Sequence, residues 1–136
     1  SEVSAAIGLI QLSKLDKWVE RRRENAQKYT IAFKNHAHVS IPKVRNGAEH
    51  AWHQFCLHTK KPEQLMKHLD QHSIDSRRHY SIPRHRQPVF TQHSQFQIAM
   101  KVTDQIAGNL VAIPVMHELT DQEVDHIIST VQSFED

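Results

Sequence analysis

The 136-residue sequence predicts an α+β fold, a small and mostly antiparallel sheet with helices packed on one face. Three observations lead there. Leu15, Trp18, Arg22, Ala26, Tyr29 and Phe33 recur every three or four positions and trace one stripe of a helix. Thr120 to Glu123 has the form of a capping box, opening a second amphipathic run through Ile127, Ile128, Val131 and Phe134. Between these lie short apolar runs at Val39–Ile41, Trp52–Thr59, from Ile74, and at Leu110–Ile113, interrupted by Pro, Gly and Asn, which suit strands.

In chain order, Ser1 to Leu12 is helix-forming and apolar nearly all round, with Ala5, Ala6 and Gly8 among Val3, Ile7, Leu9, Ile10 and Leu12. Such a segment is expected to be buried, and a lone domain would leave it partly bare. The Leu15–Phe33 helix follows, with Glu24 and Lys28 spaced as an outer ion pair. Asn46-Gly47 marks a turn, and Pro62 suits the first turn of a helix whose inner face is Leu65, Met66 and Leu69, ending near Ser73. From Asp75 to His93 no period survives. A helix resumes with Phe96, Ala99, Met100, Thr103 and Ile106, closed by Gly108-Asn109. Leu119 is placed to staple onto Val124 of the final helix.

Composition narrows the function classes. At this length roughly two-thirds of the unfolded surface can be buried, enough for one core. The 17 Lys and Arg against 15 Asp and Glu leave a formal +2, so anion binding has to be local rather than a property of the whole surface. Cys56 is the sole cysteine and forms no internal disulfide; it reads as a buried, inert strand thiol. No apolar run approaches the ~20 residues that span a bilayer, and a cytoplasmic protein is expected.

The segment from Arg77 to Phe90 concentrates the groups that could carry chemistry. Arg77, Arg78, Arg84 and Arg86 supply guanidinium forks suited to phosphate or carboxylate, beside His79, Tyr80 and His85. The same segment also reads as a solvated basic loop, or as the grip of a stand-alone phosphate- or nucleic-acid-binding module. His68 with His72, and His36 with His38, have spacings at which two imidazoles share a metal, but neither pair has a third ligand at motif distance, so no metal is expected. Arg21-Arg22-Arg23 reads as a solvated helix face with Arg22 snorkelling along the apolar stripe. His50 and His53 flank Trp52 at an expected strand edge.

Four places resemble the DegT-type nucleotide-sugar aminotransferases. They are Ser1-Glu2-Val3-Ser4-Ala5-Ala6-Ile7-Gly8-Leu9-Ile10-Gln11-Leu12 with Leu15-Asp16 and the three arginines; Ala51-Trp52-His53-Gln54-Phe55; Arg77 through Phe90; and Ile113-Pro114-Val115 followed by Leu119-Thr120-Asp121-Gln122-Glu123. The resemblance implies the C-terminal small domain of a fold-type I, pyridoxal-phosphate-dependent aminotransferase. It implies residues 1–14 as an interdomain connecting helix and 15–136 as the domain proper, with the large cofactor-binding domain absent. In such enzymes the large domain carries the lysine that holds pyridoxal phosphate, and an Asn just before the residue matching Ser1 reaches the cofactor phosphate of the partner subunit. The chain is therefore expected to hold no cofactor and no catalytic residue of its own, and to be inactive alone.

What remains is substrate binding, for which the resemblance implies Arg77, His79, Tyr80 and His85. The implied reaction moves an amino group from glutamate to a nucleotide-linked keto-sugar, for surface polysaccharide or amino-sugar biosynthesis, in a homodimer that touches neither nucleic acid nor membrane. Relatives often have Pro after the matched Tyr or Arg, where this chain has Arg78 and Ser81. The path of the loop is therefore left to the structure.

Overall fold

A computed structural model describes residues 1–93, 95 and 98–135. The chain runs α1 (Glu2–Leu12), α2 (Leu15–Phe33), β1 (Phe55–His58), α3 (Pro62–Gln71), a 3₁₀ turn (Arg84–Arg86), α4 (Pro88–Thr91), α5 (Lys101–Ile106), a second 3₁₀ turn (Ala107–Asn109), β2 (Leu110–Ile113) and α6 (Asp121–Gln132). The mixed helix-and-strand architecture is the expected one.

The sheet is antiparallel, with Phe55 opposite Ile113 and Leu57 opposite Val111. Because side chains alternate along a strand, these four share one face. That face is the buried one. It meets Ala26, Tyr29 and Phe33 of α2, Leu65 and Leu69 of α3, and Val124, Ile127 and Val131 of α6 in one continuous core. Tyr29 stacks on Phe33 and meets Phe55 edge-on at 5.3 Å. Its hydroxyl donates to the Pro114 carbonyl at 2.9 Å, so the phenol is buried without losing a partner, and burial pushes its pKa well up.

Two further expected strands are reduced to single bridges. Ser40 exchanges both backbone hydrogen bonds with His58, and Arg77 does the same with Ala112, extending the sheet by one rung on each side. The Trp52–Thr59 strand is shortened at its start because Trp52 has φ 48°, outside extended backbone. That left-handed conformation is held by the His50 ring, whose Nδ1 accepts the Trp52 N–H at 2.8 Å and which lies 4.2 Å from the indole. His50 and His53 therefore lie ahead of the strand rather than on its edge. Gly47, at φ 77°, makes the expected turn, closed by Ala48 N–H to the Arg45 carbonyl.

The capping box is complete. Thr120 Oγ1 accepts the Glu123 N–H at 3.2 Å, and Glu123 Oε2 accepts the Thr120 N–H at 2.8 Å. Leu119 packs, half-buried, against the same core as Val124. The expected Glu24 and Lys28 pair does not form. Glu24 instead meets Arg21, and Lys28 reaches Asp121 at 2.8 Å, because the first turn of α6 lies beside α2 and offers a carboxylate there.

Two expectations are corrected in extent. The helix foreseen from Phe96 begins only at Lys101; Phe96 lies outside the described residues, and Met100 and Val102 are exposed, leaving too little apolar contact to extend it. α1 is regular, capped by Ser1, but none of its residues is buried: Val3, Ile7, Leu9, Ile10 and Leu12 all face outward. Among the described residues no helix is long and apolar enough to cross a membrane.

Candidate functional site

Three consecutive arginines on α2 leave the helix in three directions, because successive residues are turned by about 100°. Arg21 donates to the Leu119 carbonyl and to Asp121, both at 2.9 Å, tying α2 to the start of α6. Arg23 donates to the His50 carbonyl at 3.2 Å and to Glu49 at 3.0 Å, tying α2 to the loop before Trp52. Arg22, between them, turns into a cavity of about 580 Å³.

The walls of that cavity come from distant parts of the chain. His53 and Gln54 enter just before β1; Asp75, Arg77 and His79 arrive after α3; and the stretch from Ala112 to Glu118 closes it after β2. The Arg77–Ala112 bridge sets the second wall against the third. The third is anchored from behind, since Asn25 donates to the Met116 carbonyl at 3.0 Å and Tyr29 to that of Pro114. His117 is stacked on Trp18 at 4.5 Å.

The four residues expected at the site are not gathered in one place. Arg77 and His79 line the 580 Å³ cavity. The exposed Tyr80 belongs to an adjoining, more apolar hollow with Ile82, Thr103 and Leu110, and His79 borders both. The His79–Tyr80 peptide is cis. His85 lies further along, beside Phe90, Met100 and Thr103. The four residues thus follow a continuous edge of hollows.

His85 is held there by Asp104 of α5. Its Nε2 lies 2.9 Å from Asp104 Oδ1, while Arg86 forks onto the same carboxylate at 3.2 and 3.0 Å. The hydrogen bonds from Arg86 and then His85 hold the Asp104 carboxyl down at about 2. An ionised carboxylate only accepts, so Nε2 carries the proton toward it. Asp104→Asn is expected to loosen this loop, read as several-fold faster tryptic cleavage after Arg84 and Arg86; an unchanged rate would show that the clamp holds nothing. The folded pKa lies below the unfolded one, so the clamp is intact above about pH 4 and lost as pH falls through about 2.

The remaining loop cations are engaged. Arg78, expected to be solvated, is partly buried and bonded to Glu63 and the Gly108 carbonyl. Arg77 leans on Asp75 at 3.4 Å, and Arg84 lies over the Phe90 ring. His68 and His72 have their rings 4.7 Å apart but are spent on the carbonyls of Thr130 and His68, and His36 on that of Val131. Among the described residues, no three His, Cys, Asp or Glu side chains are grouped to hold a metal. Cys56 is half-buried rather than fully so, and burial pushes its thiol pKa up.

Arg22 was missed by sequence reasoning because its place on the apolar stripe suggests a stem lying along the core. The available signal was that the neighbouring arginines have partners, and those partners lie 100 residues away for Arg21 and 26 and 27 residues away for Arg23.

Fold and site together define a small α+β domain whose cavity is walled by three separate parts of the chain. The profile of the DegT/DnrJ/EryC1/StrS aminotransferase family matches residues 1–132, and the chain belongs to that family. It is 31% identical over 133 residues to the dTDP-3-amino-3,6-dideoxy-alpha-D-galactopyranose transaminase of Aneurinibacillus thermoaerophilus, covering 98% of this chain and 36% of that protein. It is 28% identical over 132 residues to the erythromycin biosynthesis sensory transduction protein EryC1 of Saccharopolyspora erythraea, covering 97% and 36%. The fold matches S. venezuelae DesV, solved with a ketimine intermediate, at a TM-score of 0.90 and 24% identity over 97% of this chain and 36% of that one. The chain thus spans about 36% of the length of these relatives.

The cavity lining tests whether this chain could hold pyridoxal phosphate itself. Its guanidinium, imidazole and carboxamide groups suit anions and hydroxyls, but among the described residues no lysine lines it to bond the cofactor. The residues present do not fit the cofactor's own site.

Proposed function

We propose that this chain is the C-terminal small domain of a pyridoxal-phosphate-dependent aminotransferase that moves an amino group from glutamate to a nucleotide-linked keto-sugar. The observation that carries this reading is that the loop resembling the family's substrate loop supplies Arg77 and His79 to one wall of a cavity that Arg22, His53 and Gln54 also line. The electron sink for such a transfer is the cofactor. What this chain contributes is a surface that orients the sugar nucleotide, with His79 at the junction of two hollows and Tyr80 and His85 further along. In this reading α1 connects to the cofactor domain, its apolar residues covered by that domain or by a partner subunit of a cytoplasmic homodimer.

The stand-alone nucleic-acid module is disfavoured by geometry. Arg77, Arg78 and Arg86 are each spent on an acidic partner, so the loop presents no row of unpaired cations to a phosphate backbone. The coding sequence upstream of Ser1 tests the proposal directly. It should encode an Asn shortly before Ser1 and a domain bearing a cofactor-binding lysine, and the intact protein should aminate a keto-sugar nucleotide with glutamate. Absence of the lysine-bearing domain would end this reading.

A further inference from the structure

Arg77 and His79 line the 580 Å³ cavity, and Arg78 between them does not. Successive side chains of an extended segment point to opposite sides. Arg78 reaches away from the cavity, to Glu63 in the first turn of α3 and to the Gly108 carbonyl in the 3₁₀ turn before β2. Its side chain is 26% exposed, and its Nε is out of water with no hydrogen-bond partner among the described residues. A charge drawn out of water is held there only by strong partners. Its two bonds are unequal. Glu63 is 74% exposed, and an ion pair open to water contributes little. The partly buried bond to the Gly108 carbonyl has a charged donor and is the stronger of the two.

The Arg77 side chain offers no comparable hold, because it leans on Asp75, two residues away, and both are largely in water. Its backbone is joined to the sheet by the two bonds exchanged with Ala112, at 3.1 and 2.8 Å. The bridge and the Arg78 fork therefore fasten consecutive residues of the loop to β2 and to the turn that leads into it.

We propose that Arg78 is a positioning residue: through the Gly108 carbonyl it fixes the backbone on which Arg77 and His79 are presented to a ligand in the cavity. The rigid fork of an arginine suits this task because it reaches two acceptors at once. Only the identity of the ligand, a sugar nucleotide, rests on the aminotransferase reading; the tether rests on the fold.

The test compares Arg78→Met and Glu63→Gln with the wild-type 136-residue chain by amide hydrogen exchange. Arg78→Met should speed exchange at the Arg77 and Ala112 amides, which bond across the bridge, roughly tenfold. The Ser40 and His58 amides, which form the matching bridge on the opposite edge of the sheet, are the control and should keep their rates. Glu63→Gln should change the Arg77 and Ala112 rates by less than about twofold. Unchanged rates at Arg77 and Ala112, equal acceleration at all four amides, or a Glu63→Gln effect as large as that of Arg78→Met would overturn the proposal. In the proposed aminotransferase, Arg78→Met should raise KM for the keto-sugar nucleotide several-fold and leave kcat and the KM for glutamate unchanged, a split that lost stability alone does not produce. An unchanged KM for the sugar nucleotide would end the positioning role. No amino transfer by the wild-type intact protein would sink the aminotransferase reading, and the exchange rates would still decide the tether.

Discussion

Phe55→Ala is expected to destabilise the chain by about 3–5 kcal/mol, which removes most of the stability of an ordinary small domain. Phe55 is fully buried, pairs with Ile113 across the sheet, and has Tyr29 and Trp52 rings at 5.3 and 5.2 Å. Truncation leaves a cavity where strand, α2 and the left-handed Trp52 turn meet, and none of the three can close it without breaking its own contacts. Urea denaturation followed by tryptophan fluorescence gives the measurement. Leu9→Ala, at a side chain 70% exposed, should change stability by no more than about 0.5 kcal/mol. Equal effects from the two substitutions would show that the core is not where β1 meets α2.

In the proposed aminotransferase, His79→Ala is expected to lower kcat/KM for the proposed keto-sugar nucleotide roughly tenfold to a hundredfold, the effect of losing one hydrogen bond to a charged ligand. His79 borders both the 580 Å³ cavity and the more apolar hollow of Tyr80, so a sugar nucleotide lying along that edge passes it. The loss should fall on the sugar substrate. Steady-state kinetics with each substrate varied in turn checks this, the amino donor serving as the control. An unchanged kcat/KM for the sugar nucleotide would remove His79 from the site.

The features of the fold legible in the sequence are those whose signal is local. The α2 stripe, the Thr120–Glu123 capping box, the Pro62 start of α3 and the Asn46-Gly47 turn all appear where their residues indicate. Each depends on contacts within a few positions. β2 forms over the expected Leu110–Ile113, whereas the Trp52–Thr59 strand is shorter than expected, because pairing is decided by the partner: β2 stops before Pro114, which has no N–H to donate, and β1 pairs only with the four residues β2 offers. The helix at Lys101 was overestimated for a related reason, since its apolar spacing is present but the surface to bury it is not.

The candidate site divides in the same way. Arg77, His79, Tyr80 and His85 could be singled out together because they share one segment, but their distribution over adjoining hollows follows from the Arg77–Ala112 bridge and the Asp104 clamp. Arg22 shows the limit most clearly. By itself the sequence determined that the chain is a small α+β domain, where its principal helices start, and which family it resembles, because periodicity, caps and turns act over a few residues. Only the tertiary structure decided which of three adjacent arginines is left unpaired, because Asp121, Glu49 and the cavity that Arg22 enters are brought to α2 by packing of segments far apart in the chain.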